Sequence, residues 1–212
     1  MPYFRYSRKE TDYLKARDPR LGAYIDRIGK IKRQIDPDLF SALINAVIGQ
    51  QISAKAHKTV WARFLELSGQ VTPENVTKIG LNDIQACGLT FKKAGYIKEA
   101  AERIFRGDVS LQALKKMPDS EVITSLIKLP GLGVWTAEML LIFSLKRPDI
   151  FSYDDLAVRK GLKIVHGLKT QEGHIESYIA RPVFEEYRQL YSPHGSVASL
   201  YLWAVAGGAG RG

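Results

Sequence analysis

The chain is nearly without cysteine. Its one thiol, Cys87, excludes an intrachain disulfide framework, a four-cysteine zinc site and a four-cysteine iron–sulfur cluster. In a Cys-Gly-Leu context it reads as a small buried hydrophobe. Long apolar runs are missing too. The longest, Met139–Phe143 and Leu200–Ala206, fall far short of the roughly 20 residues a membrane helix needs. The N-terminal stretch MPYFRYSRKE lacks the apolar region of a secretory signal. The expectation is a cytoplasmic protein, nucleoid-associated if prokaryotic, with no membrane partner. Strict apolar–polar alternation is scarce and β-branched residues rarely cluster, which argues against sheets. There is no internal repeat, low-complexity segment or long linker.

Acidic residues are in the minority. Lys and Arg number 31 against 22 Asp and Glu, a formal net charge of +9. Such an excess favours polyanions through steering and counterion release, although it also serves plain solubility. The 212 residues suffice for one domain, or two small lobes, with a sizeable core.

What is present is helical period, segment after segment. Pro19 splits Asp12–Ile28 into two short helices. Asp36-Pro37-Asp38 starts a helix over Leu39–Gly49, and Ser53 caps the next, through about Leu67. Short helices follow Thr72-Pro73 and span Leu81–Cys87. Thr90 caps a helix through Phe105, with Lys92 and Lys93 in its first turn. Cations there oppose the helix dipole. A bound phosphate would relieve that, and so would solvation. Further helices are expected over Ser110–Met117, Pro118–Leu126 (capped by Asp119 or Ser120), after Gly133, and over Asp155–Val165, Glu172–Ile179, Pro182–Tyr191 and Ser196–Ala206. The fold class is all-α.

Two features resist a packing explanation. Leu129-Pro130-Gly131-Leu132-Gly133 is a tight turn opening a helix. Its glycines permit positive φ or close approach, its leucines can plug into the core, and its amides can bind a phosphate without reading sequence. The second feature is Asp154-Asp155, an acidic pair before another helix in a basic protein. Taken alone, the pair reads as helix caps or as an acid with chemistry to do.

Leu129–Ala137 followed by Asp155 before Leu156-Ala157-Val158-Arg159-Lys160 resembles the helix-hairpin-helix (HhH-GPD) DNA glycosylase superfamily. Gly49-Gln50-Gln51-Ile52-Ser53, Trp135-Thr136-Ala137-Glu138 and Asp154-Asp155-Leu156 most resemble its 3-methyladenine DNA glycosylase II (AlkA-type) branch. The resemblance runs over roughly residues 38–206. It implies a two-lobed helical fold with an active-site cleft between the lobes: lobe A about 40–154, and lobe B about 1–39 plus 155–212. It implies Asp155 as the essential aspartate, leaving Asp154 as a cap. Leu129, Gly131, Leu132, Gly133 and Thr136, with Lys92 and Lys93, would bind the DNA backbone. Gln51, with Ile52 beside it, would be the wedge that fills the gap left by a flipped base.

Family members that also cut the backbone carry a lysine two residues after the hairpin's second glycine, where it forms a Schiff base. Trp135 stands there instead, which implies a monofunctional enzyme using water. Its π face suits a cationic alkylated purine. The chain departs from the family at two pocket positions, where Met139 and His194 replace aromatic residues. The implied activity is excision of alkylated purines of the 3-methyladenine type from double-stranded DNA, by a monomer. No organic cofactor is implied. Na+ or K+ at the carbonyls of Leu129 and Leu132 is compatible with the family hairpin. Two alternatives stay open: a bifunctional glycosylase/lyase on oxidised bases, and a non-catalytic module that only binds DNA.

Overall fold

A computed structural model of the chain describes residues 2–169 and 178–210. Among these, the regular structure is helical apart from one isolated antiparallel bridge, Tyr3 to Gln34. In chain order the helices are α1 Arg8–Arg17, α2 Pro19–Ile28, α3 Leu39–Gly49, α4 Ala54–Ser68, α5 Pro73–Lys78, α6 Leu81–Ala86, α7 Phe91–Phe105, α8 Leu111–Leu114, α9 Asp119–Leu126, α10 Val134–Phe143, α11 Leu156–His166, α12 Arg181–Tyr191 and α13 Gly195–Ala206. None is long and apolar enough to cross a membrane.

Side-chain caps set most of the starts. Asp38, Ser53, Thr72 and Thr90 each accept an amide from the first turn of α3, α4, α5 and α7, offsetting donors that have no partner inside the helix. α1 begins at Arg8, ahead of the expected Asp12, because Ser7 and Glu10 form a reciprocal capping box. Pro118 occupies the cap position of α9, so Asp119 and Ser120, the expected caps, lie inside the helix. α8 is only one turn of the expected 110–117. Of the helix expected over 172–179, residues 172–177 lie outside the described residues.

The chain forms two compact units, Asp36–Leu145 and Met1–Ile35 with Lys146–Gly212. The second boundary lies earlier than the expected 154. The cause is a set of hydrogen bonds tying the segment after Leu145 to the start of α13. Ser196 Oγ donates to the Arg147 carbonyl at 2.7 Å and accepts the Ile150 amide at 3.0 Å. Asp149 accepts the Gly195 amide at 3.0 Å and the Ser192 hydroxyl.

In the unit 36–145, α7 is the central helix. Its apolar face of Ala94, Ile97, Ala100, Ala101 and Ile104 is buried, with α5, α6 and α3 packed around it. In the other unit α11 lies on α13. Gly161 makes that approach possible, since a side chain there would overlap the Leu202 carbonyl. Asp18 caps α2 in the same unit, and its second oxygen accepts the Tyr191 hydroxyl at 2.6 Å.

Candidate functional site

The Leu129–Gly133 turn is built as the sequence suggests. Leu129 and Leu132 are buried and anchor it from either side. Gly131 has φ +78° and sits against the ring of Tyr96, where a Cβ would collide. The turn is closed by the Leu132 amide donating to the Leu129 carbonyl at 3.3 Å. Gly133 then starts α10 with no side-chain cap. The first amides of that helix therefore lack the side-chain acceptor that α3, α4, α5 and α7 have, and an anion suits that place. Thr136 in this first turn is buried. A carbonyl has two lone pairs, so Leu129 can accept its internal bond and still face a monovalent cation.

The Gln50–Ser53 turn is fastened to the hairpin. Gln50 Nε2 donates to the Gly131 carbonyl at 2.8 Å. Gln51 adopts φ +56°, a left-handed conformation that costs a non-glycine residue about 1–2 kcal/mol. It is exposed, as is Ile52 at 38 %. The pair is thus exposed on a strained backbone that Gln50 ties to the hairpin.

Lys92 and Lys93 separate. Lys92 is exposed, with its ammonium 5.8 Å from the Tyr96 ring centre. Lys93, expected beside it on phosphate, turns inward. Its ammonium donates to the Ile48 carbonyl at 3.1 Å and to the Gln50 carbonyl. These carbonyls belong to the C-terminal end of α3, where a cation is favourable. Burial lowers the Lys93 pKa. The end of another helix thus gives the Lys93 ammonium a favourable partner.

The acidic pair also separates, though not as expected. Asp154 is exposed and caps nothing; Asp155 is the cap of α11. Asp155 is 5 % exposed, and its Oδ1 accepts the Ala157 and Val158 amides, both at 2.9 Å. The two amides fix the carboxylate, and the helix dipole favours negative charge there. Leu156 beside it is 57 % exposed, an apolar surface residue that periodicity did not single out. Tyr153, two residues before Asp155, has two guanidiniums against its ring, Arg159 at 5.0 Å and Arg181 at 4.5 Å.

Trp135 is 44 % exposed in the first turn of α10. Met139, half-buried, is one turn further along. His194 stands at the head of α13, its ring edge-on to Tyr13 at 4.9 Å. That packing accounts for its position. The unit 36–145 brings together the hairpin, Gln51, Ile52, Trp135, Met139 and Lys92; Asp155 and His194 belong to the other unit. The hairpin supports Gln50 and Tyr96 are not legible in the sequence, because each has its partner far away along the chain. No His, Cys, Asp and Glu cluster suited to a metal occurs among the described residues.

The chain also resembles known proteins. The chain is 32% identical over 171 residues to DNA-3-methyladenine glycosylase 1 of Schizosaccharomyces pombe, covering 79% of this chain and 72% of that protein. It is 29% identical to a DNA-3-methyladenine glycosylase of Bacillus subtilis, across 80% of this chain but only 57% of that protein. Among solved structures, a DNA-3-methyladenine glycosidase of Bacillus halodurans matches with a TM-score of 0.83 and 29% identity, over 98% of this chain and 94% of that one. The Schizosaccharomyces pombe 3-methyladenine DNA glycosylase Mag1 in complex with abasic DNA matches with a TM-score of 0.81 and 28% identity, over 96% and 99%. The family model that describes the HhH-GPD superfamily base excision DNA repair proteins matches residues 44–183, and the chain belongs to that superfamily.

Proposed function

We propose that this DNA glycosylase hydrolyses the bond between deoxyribose and an alkylated purine, 3-methyladenine among them, in double-stranded DNA, with water as nucleophile. The observation that supports this most is Asp155, a buried carboxylate held by two amides at the N-terminus of α11.

A purine alkylated on a ring nitrogen is already cationic. Breaking its bond to C1′ returns the bonding pair to the base, which leaves neutral without a proton donor. Positive charge passes to the sugar, where a fixed carboxylate stabilises it. Asp155 then takes a proton from the water that adds to C1′. The product is an abasic site with its backbone intact. The π face of Trp135 favours the cationic base over its neutral parent. With tryptophan at position 135, the hairpin offers no amine for a Schiff base.

Phosphate is held by the first amides of α10 and by Lys92, and a monovalent cation at the Leu129 and Leu132 carbonyls fits the residues present. Gln51, with Ile52, fills the space of the extruded base. This contact set does not read sequence, as an enzyme searching for rare lesions requires.

The test is a panel of duplexes, each with one modified base, scored for abasic sites by strand scission in hot alkali. Scission at 3-methyladenine or 7-methylguanine, with no covalent adduct on borohydride treatment, is expected. Scission without alkali, or a trapped adduct, would favour the bifunctional alternative. No scission on any duplex would leave DNA binding alone.

A further inference from the structure

We infer that Lys93 is a positioning residue that locks the wedge turn to the hairpin, and that it does not contact DNA phosphate. This rests on the reading of Gln51 and the hairpin given under Proposed function. The first two turns of α7 support both features. Lys93 holds the Ile48 and Gln50 carbonyls from one side. Tyr96, one turn further on, lies under Gly131. Gln50 closes the loop by donating to the Gly131 carbonyl at 2.8 Å. Three residues thus fix the distance between the turn that grips the backbone and the turn that enters the stack.

Two observations explain why a lysine does this. The last carbonyls of α3 have no intrahelical donors, and Gln51 carries φ +56° immediately after them. A left-handed glutamine persists only when its surroundings over-determine it. The Lys93 ammonium supplies two charge-assisted hydrogen bonds at that place. A side chain of the same length without the charge would leave the carbonyls unpaired and free the turn to relax.

The test compares the full-length protein with its Lys93→Met, Lys93→Arg and Lys92→Ala variants. Binding is measured to an undamaged duplex and to one holding a tetrahydrofuran abasic-site analogue, across a salt series. Lys93→Met is expected to lose about tenfold of its preference for the abasic duplex, the scale of one hydrogen bond to a charged group. Its salt slope on undamaged duplex stays that of wild type. Lys93→Arg restores the preference to within about threefold, because it can donate to the same two carbonyls. Lys92→Ala lowers the salt slope by about 0.9, one phosphate contact.

A Lys93→Met protein whose slope falls by about 0.9, or whose preference is unchanged, overturns the inference. If that variant melts below the assay temperature, Gln50→Ala takes its place. The same loss of preference is expected, and an unchanged preference overturns the inference. A wild-type protein without any preference for the abasic duplex overturns both this inference and the wedge reading. Because the readout is binding, absence of base removal by wild type would overturn only the proposed hydrolysis.

Discussion

Asp18 and Asp155 are the same local device in two surroundings. Each is the cap of a helix, each is nearly buried, at 4 % and 5 % exposure, and each takes two first-turn amides on one oxygen. For Asp18 the distances are 3.0 and 3.1 Å; for Asp155 both are 2.9 Å. The difference lies around them. Asp18 sits in an aromatic cluster, its other oxygen 2.6 Å from the Tyr191 hydroxyl and 3.1 Å from His166 Nε2. Asp155 follows a surface aspartate, precedes an exposed leucine and lies near a tyrosine carrying two guanidiniums. A capping geometry therefore does not argue against catalysis. It is how a carboxylate is held still, and the surroundings decide whether stillness serves the fold or the reaction.

The comparison breaks most visibly at Asp155. Asp155→Ala should lower single-turnover abasic-site formation at least about a hundredfold, the scale of a general base, measured below the melting temperature. Asp18→Ala should do the reverse. Losing a cap and leaving buried Tyr191 and His166 without their acceptor should cost about 2–3 kcal/mol in chemical denaturation, with the rate per folded molecule near wild type. Trp135→Ala should slow excision of a cationic base about tenfold, the scale of a desolvated cation–π contact, and affect neutral bases less. Acid sharpens the contrast further. Burial works to raise the Asp18 pKa, but bonds from His166, Tyr191 and the Leu21 amide outweigh it and leave the value lowered. Its contribution to stability is therefore complete above the unfolded value of about 3.9 and lost as pH falls through the folded value. Denaturation midpoints of wild type and Asp18→Asn should converge over that range. The smallest effect belongs to Asp154→Ala, which should change stability by under about 0.5 kcal/mol, as an exposed residue without a cap role, and excision by less than twofold.

Much of the fold was legible because caps are local signals. Asp38, Ser53, Thr72 and Thr90 announce their helices within a few residues, and α3 and α7 begin where the sequence placed them. The hairpin was legible for the same reason, a short string whose glycines and leucines have distinct duties. Long-range partners were not. Nothing near Lys93 reveals that α3 ends beside it, so a cation at a helix start suggested phosphate when it answers carbonyls 43 and 45 residues away. Ser196 sits 46 residues from the Ile150 amide that it accepts, and that distance hid the earlier boundary between the units. The sequence places the cap of α11 at Asp154, whereas the cap is Asp155 itself, which only the backbone geometry shows.

The most direct measurement uses Asp155→Asn. Asparagine keeps an oxygen for the Ala157 and Val158 amides and caps nearly as well as aspartate, so it removes the charge and leaves the scaffold. Single-turnover abasic-site formation on a duplex with one alkylated purine, read beside the melting temperature, separates capping from the proposed catalysis. A rate at least about a hundredfold down with a melting temperature within a few degrees of wild type is the predicted result. A rate within a few-fold of wild type at the same melting temperature would make Asp155 a cap alone and contradict the account.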